Sequence, residues 1–246
     1  MRTGTMALAG VALTAAVAAL LASQATGDPA ANVAPKDRAA IEAIVRDYIL
    51  KHPEIIPEAM AGAEMRTTAK AVADNRTALE TPFAGASAGP ADGDVRLVVF
   101  FDYGCPYCKA SAADVTKLIA TDKRLRVVFR DFPVLGDVSN QAALASLSAA
   151  KQGKYVAFHD QLFAGSGRIT PERAQAAAKA AGLDPARTAK DMAAADVKAE
   201  VAKNLALGQT LQLTGTPSYI VGDRILAGAV GYDALKAAIA EARAKG

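Results

Sequence analysis

The stretch LVVFFDYGCPYCKA, residues 97–110, decides the fold. Its first five residues, Leu97 to Phe101, form an uninterrupted apolar run, the pattern of a strand buried on both faces. Asp102-Tyr103-Gly104 make a turn, and Cys105-Pro106-Tyr107-Cys108 open a helix with Pro106 at an early position, where a missing N–H is harmless. That helix carries Val115, Leu118 and Ile119 on one face, and Arg126 to Asp131 supply a second strand. Strand, helix and strand in about 35 residues make a βαβ unit with a parallel pair.

The two cysteines are the only ones in the chain, and they sit at the junction of that strand and helix. Unsatisfied N–H groups and the positive end of the helix dipole favour an anion there, so Cys105 is expected to be held as a reactive thiolate. Cys108, one turn inward, is expected to be more protected. A mixed disulfide at Cys105 would be resolved by the second sulfur, in whichever direction the exchange runs. Half a zinc site is the competing reading, but no third cysteine exists, and His52 and His159 fall in an N-terminal helix and in a helical insert. No metal ligand is therefore assigned. Both histidines read as solvated or core residues. A structural disulfide across so short a loop would remove little chain entropy. Two thiolates do suit Cu(I), which leaves copper handling as an alternative use of the same sulfurs.

The chain has 246 residues, 52% hydrophobic, 22% charged and 5% aromatic, which excludes collagen-like, disordered and disulfide-dense classes. A net charge of +3 without a Lys/Arg block gives no footprint for nucleic acid. Arg2, the uncharged run Met6 to Ala22, and small residues at Ser23 and Ala25 read as a secretory signal over residues 1–25. Export would place the cysteines where thiols are not held reduced. Residues 26–36 read as a flexible segment. Ile41, Ile44, Val45, Tyr48 and Ile49 recur at helical spacing, with Asp37 as the expected N-cap. Pro53 should end that helix, and Pro57 should lie in the first turn of another reaching Leu79. Residues 37–80 thus form an N-terminal helical segment whose apolar stripe packs on its own domain or on another copy. Residues 81–93 (TPFAGASAGPADG) read as a linker before a domain over 94–246.

Within that domain an insert at about 137–213 is helical: Ser139 to Phe163, two short helices begun by Thr170-Pro171 and Asp184-Pro185, and Ala195 to Leu213. Ser218 to Val221 and Arg224 to Ala227 pair as a hairpin about Gly222-Asp223, and Asp233 to Ala244 close the chain as a helix. No repeat and no nucleotide-binding glycine loop is present.

Gly215-Thr216-Pro217 immediately precedes the hairpin. Alone, a proline there would be strand punctuation. Combined with a CxxC at a strand–helix junction it is the pattern of a thioredoxin fold, in which that proline is cis and abuts the cysteine pair. An exposed Thr216 backbone could then pair with an extended client segment.

Residues 97–110, 214–221 (TGTPSYIV) and 228–239 (GAVGYDALKAAI) resemble the DsbA family of exported thiol–disulfide oxidoreductases. Residues 38–64, with YILKHPEIIPEAM, resemble the N-terminal region of the suppressor-of-copper-sensitivity branch, ScsC, where such a segment mediates self-association in some members. The resemblance implies an α/β thioredoxin fold with an inserted helical subdomain, preceded by an N-terminal helical extension. It makes Cys105 the nucleophile, Cys108 the resolving thiol and Thr216-Pro217 the cis-proline loop; Pro106 and Tyr107 join that loop as the expected client-binding surface. It further implies an exported, periplasmic enzyme that forms or isomerises disulfides in client proteins, assisted by a membrane redox partner. Homo-oligomers through residues 37–80 are expected, and no cofactor beyond the cysteine pair. A glutaredoxin-like, glutathione-dependent reductase is a further alternative that the CPYC motif alone suggests. Two features depart from the pattern. Val99 stands where many relatives carry a buried Glu, and Pro106-Tyr107 replaces Pro-His, so no imidazolium lies between the sulfurs and a less oxidising couple is expected.

Overall fold

The structure is a computed structural model and describes residues 34–245. The expected signal sequence and most of the expected flexible segment lie outside these. The described residues divide into two units that part after Met60.

In the first unit, α1 (Pro35–Lys51) starts with proline at its first position, after Ala34, which offers no side-chain cap. Helix therefore begins inside the segment read as flexible. Asp37, expected as the N-cap, lies instead in the first turn, where its charge faces the positive end of the dipole. The helix ends at His52, whose N–H bonds back to the Tyr48 carbonyl, because Pro53 disfavours helical backbone in the residue before it. Ile44 (68% exposed) and Leu50 (69%), with Ile41, Val45 and Tyr48, leave a row of large apolar side chains uncovered. The next helix, α2 (Ile55–Asp74), carries Pro57 in its first turn, as expected.

The second unit is built on a five-stranded sheet in the order β1-β3-β2-β4-β5. The strands are β1 (Ser87–Ala88), β2 (Val95–Phe101), β3 (Leu125–Asp131), β4 (Ser218–Val221) and β5 (Arg224–Ala227). The central pair β2 and β3 run parallel, with Val98 opposite Val128, and all other neighbours are antiparallel. Helix α4 (Pro106–Thr121) makes the crossover between them. Apolar residues fill β2 continuously from Leu97 because both faces are covered: Leu97, Val99 and Phe101 enter one core cluster, Val98 and Phe100 a second. Five helices follow β3: α5 (Asp137–Lys151), α6 (Tyr155–Ala164), α7 (Pro171–Ala180), α8 (Pro185–Ala193) and α9 (Ala195–Thr210). Thr170 and Asp184 cap α7 and α8 as their sequence suggests, accepting from the N–H groups of Arg173 (3.2 Å) and Arg187 (2.6 Å). The last helix, α10 (Tyr232–Lys245), closes the domain, and no described helix is long and apolar enough to cross a membrane.

Two boundaries differ from the expectation. Residues 61–80 belong to the second unit, where Val72, at the end of α2, and Leu79, on α3 (Arg76–Glu80), lie in the core behind β2. Buried Arg130 on β3 holds them there, donating to the carbonyls of Ala78 (2.5 Å), Leu79 (3.0 Å) and Thr81 (2.6 Å) and to Glu200 (2.6 Å). Nor is 81–93 a linker. Ala86 is fully buried, its carbonyl accepts from Phe129 N–H at 3.0 Å, and β1 pairs with β3. The glycines permit close approach rather than flexibility: a Cβ on Gly89 would meet the Leu125 carbonyl oxygen at 2.1 Å, and one on Gly93 the Arg124 oxygen at 2.7 Å.

Candidate active site

At the end of β2, Asp102 turns a fully buried carboxylate into the loop. Its Oδ1 accepts from Gly104 N–H (2.7 Å) and its Oδ2 from Val134 and Leu135 N–H (2.8 and 2.9 Å). This fixes the turn before the cysteines against the loop leaving β3. Glycine is required beside it, since a Cβ on Gly104 would lie 2.6 Å from Ser139 Oγ. Cys105 is the N-cap of α4 in extended conformation and Pro106 its first residue, the geometry expected from the motif.

The Thr216–Pro217 peptide is cis. Cys105 Sγ donates to the Thr216 carbonyl at 3.2 Å, across a sequence separation of 111 residues. The loop is pinned by Ser218 Oγ, which donates to the Gly215 carbonyl (2.8 Å), and by Gly228 N–H, which donates to the Pro217 carbonyl (2.8 Å). Pro106 and Tyr107 are exposed, Thr216 is half-buried and Pro217 is buried. The structure thus brings together all six residues singled out from sequence: Cys105 and Cys108 with Pro106, Tyr107, Thr216 and Pro217. Both cysteines are free thiols, and Cys105 is shielded nearly as well as Cys108.

Burial pushes the Cys108 thiol up to about 12, against the lowering influence of the Asp102 backbone and Thr216. Behind it lies a cavity lined by Val99, Cys108, Phe129, His159, Pro217 and Tyr219, with about 10 Å³ of space for water centres, enough for one molecule. His159, read as a core or solvated residue, is core: burial drives its imidazole down to about 3, so it is neutral. His52 is half-exposed, 3.2 Å from Glu54. Two buried carboxylates that sequence reasoning left without a role frame this region. Asp102 organises the loop. Asp131, at the end of β3, is raised to about 7 by burial, although it accepts from Ser146 Oγ (2.5 Å) and Tyr155 Oη (3.0 Å). The one available signal was an acidic residue closing the strand LRVVFRD directly after a buried apolar run and an arginine. No group of three or more His, Cys, Asp or Glu side chains converges as a metal site among the described residues.

A CxxC pair at the N-terminus of the crossover helix, facing a cis-proline loop that leads into the antiparallel neighbour of β2, defines a thioredoxin-fold thiol site. The inserted helices narrow the class: the chain belongs to the DSBA-like thioredoxin domain family, which matches residues 96–240. Residues 37–66 match the N-terminal domain of the copper resistance protein ScsC. Among solved structures, a linker-deletion mutant of Proteus mirabilis ScsC is 30% identical, covering 87% of this chain and 99% of that one with a TM-score of 0.71. A thioredoxin-like oxidoreductase from Silicibacter pomeroyi is 40% identical, covering 69% and 98% with a TM-score of 0.66. Among curated proteins, Na(+)/H(+) antiporter NhaA 1 of Salinispora arenicola is 30% identical over 157 residues, 63% of this chain but 24% of that protein. The chain therefore spans about a quarter of that relative's length. Disulfide bond formation protein D of Bacillus subtilis is 28% identical over 163 residues, 61% of this chain and 73% of its own.

Proposed function

We propose that this chain is an exported thiol–disulfide oxidoreductase that forms or isomerises disulfides in client proteins, with Cys105 as nucleophile and Cys108 as resolving thiol. The observation that carries the reading is the 3.2 Å contact between Cys105 Sγ and the Thr216 carbonyl, with Cys108 held behind it. A client strand pairing with the Thr216 backbone would bring its own sulfur to Cys105. Attack by Cys105 forms a mixed disulfide, and Cys108 then displaces the client thiolate to leave a Cys105–Cys108 disulfide. The reverse sequence donates that disulfide to a client. The redox couple is the cysteine pair itself, and no further cofactor is needed. Support for export comes from the signal-like residues 1–25 and from a structural relative, a periplasmic thioredoxin-like protein of Salmonella enterica, 27% identical with a TM-score of 0.63. A membrane redox partner would reset the pair.

The test is refolding of a scrambled disulfide substrate by the full chain, with Cys108→Ser used to trap clients. Expected are activity in the parent, none in Cys105→Ser, and client adducts on Cys105 in Cys108→Ser; an inactive parent that traps nothing overturns the proposal. Exchange restricted to glutathione mixed disulfides would favour a glutaredoxin-like enzyme instead.

Self-association belongs to the same proposal, now centred on α1 rather than on all of residues 37–80. The uncovered Ile41, Ile44, Val45, Tyr48 and Leu50 and the ScsC-type match over 37–66 support it. Light scattering should show an oligomer that Ile44→Glu with Leu50→Glu dissociates; a parent that is already monomeric refutes it. The copper resistance name carried by that match favours one second reading, Cu(I) held by the two sulfurs. It predicts tight Cu(I) binding, lost in Cys105→Ser, by a chain without disulfide exchange activity.

A further inference from the structure

Cys108 can attack a mixed disulfide only as a thiolate, and its thiol is enclosed. Its proton must leave through the groups around it. Of the residues lining the cavity behind it, three carry an exchangeable or basic side-chain group besides Cys108 itself: Ser111, Tyr219 and His159. Tyr219 reaches Ser111, and Ser111 Oγ donates to the Tyr107 carbonyl at 2.9 Å, so that branch ends on a backbone oxygen rather than on a base. The neutral imidazole of His159 remains.

His159 does not stand alone. Its Nδ1 lies 3.2 Å from Tyr103 Oη, a phenol that is itself buried. Tyr103 is coupled to the hydroxyls of Ser146 and Tyr155 and to the charge of Asp131. Tyr155 Oη and Ser146 Oγ both end on the Asp131 carboxylate, at 3.0 and 2.5 Å. Phe101, Phe129 and Phe163 pack edge-on or tilted around the His159 ring, so the path is walled by aromatic carbon rather than by solvent. The other charged groups that act on it are few. Glu200 and Arg130 act on Asp131, and Asp160 acts on Tyr103.

The geometry points to a buried relay in which the Cys108 proton passes by way of His159, Tyr103 and Tyr155 to Asp131 as Cys108 resolves the mixed disulfide. The inference rests on the proposed thiol–disulfide activity and deepens it. In the step, the Cys108 thiol gives its proton to the ring nitrogen of His159 opposite Nδ1, directly or through one water, while the Nδ1 proton moves to Tyr103 Oη. The Tyr103 proton moves to Tyr155 Oη and the Tyr155 proton to Asp131. The Cys108 sulfur donates an electron pair to the Cys105 sulfur, the new S–S bond forms, and the Cys105–client bond breaks with its pair leaving on the client thiolate. The Cys108 sulfur is oxidised from thiol to disulfide and the client sulfur is reduced from disulfide to thiolate, Cys105 staying at the disulfide level, with no further reactant. Asp131 later returns its proton to solvent. Proton transfer to the carboxylate at the far end spares the site a free hydroxide, and base strength near neutrality suits such a role.

The test uses the reduced full chain and 5,5′-dithiobis(2-nitrobenzoate). Cys105 releases one thionitrobenzoate as the mixed disulfide forms, and attack by Cys108 releases the second, so stopped-flow absorbance separates the two steps. In the parent, the second rate should rise tenfold per pH unit below about pH 7 and then level as Asp131 becomes fully ionised. Asp131→Asn, His159→Phe and Tyr103→Phe should each remove that plateau and slow the second step at pH 7 at least tenfold, leaving the first unchanged. A merely structural role would not move the plateau. Tyr103→Phe removes a single oxygen and keeps the test open if the other variants fail to fold. A plateau kept in all folded variants, with rates within twofold of the parent, overturns the relay. Absence of the second release in the parent would instead overturn the proposed function.

Discussion

Replacing His159 by Phe should make stability respond to acid in a way the parent does not. His159 is neutral in the fold, with its pKa driven by burial to about 3 from 6.5. Between those values the unfolded chain binds a proton that the native chain refuses. The native state is therefore penalised progressively as pH falls from 6.5 toward 3, by about 1.4 kcal/mol per pH unit. Asp131 works in the opposite sense. Its pKa is raised by burial from 3.8 to about 7, so over that interval the native chain keeps a proton that the unfolded chain has released, and stability falls as pH rises. From about pH 4 to 6.5 the two slopes cancel in the parent.

Each substitution unmasks the other group. Relative to the parent, His159→Phe should gain about 3 kcal/mol on going from pH 6.5 to 4, whatever constant packing offset it carries. Asp131→Asn should gain about 4 kcal/mol on going from pH 4 to 7. Urea denaturation at half-unit pH intervals, analysed as the difference between variant and parent, removes the contribution of all groups the proteins share. Differences that stay within about 0.5 kcal/mol across the range, or that slope in the same direction for both variants, would refute the reasoning.

Arg130→Met should cost about 3–5 kcal/mol in the same assay, because it leaves Glu200 with only the longer Lys203 pair at 3.6 Å and strands the carbonyls of Ala78, Leu79 and Thr81. A loss below about 1 kcal/mol would show that the clamp holding residues 78–81 is dispensable. Gly208→Ala places a methyl 2.3 Å from the Phe132 ring, and the resulting displacement should outweigh the gain of about 1 kcal/mol in helix propensity; a variant more stable than the parent contradicts this. With its thiol near 12, Cys108 in a Cys105→Ser variant should react with iodoacetamide at pH 7.5 about a thousandfold more slowly than an unperturbed cysteine, and at the ordinary rate in urea. Comparable rates folded and unfolded would show that the thiol is not shielded.

The parts of this fold legible in sequence are those whose cause is local. The apolar run 97–101, the CPYC helix start and the Thr170-Pro171 and Asp184-Pro185 caps each announce themselves within a few residues, and each stands where expected. The segment 81–93 did not, since its glycines serve partners more than thirty residues away, the carbonyls of Arg124 and Leu125. The same holds for residues 72–80, which look too poor in large apolar groups to pack but are fastened by Arg130, a charged residue inside a buried strand.

The site divides along the same line. Cys105, Cys108, Thr216 and Pro217 were readable because motif and spacing carry them. His159 and Asp131 were not, because neither has a chemically suggestive sequence neighbour; only the packing of α6 against β2 and β3 sets an imidazole beside the cavity behind Cys108. Val99 makes that arrangement meaningful. At a wall position where a carboxylate could serve the buried thiol directly, this chain has an aliphatic residue, and its ionisable groups are set farther back, behind a shell of aromatic rings. A carboxylate next to the sulfurs would raise Cys108 further by like-charge repulsion whenever it ionised. One reached through neutral His159 and two phenols can accept a proton without placing its charge beside the thiols, and the price is a longer path whose every hydroxyl must be present.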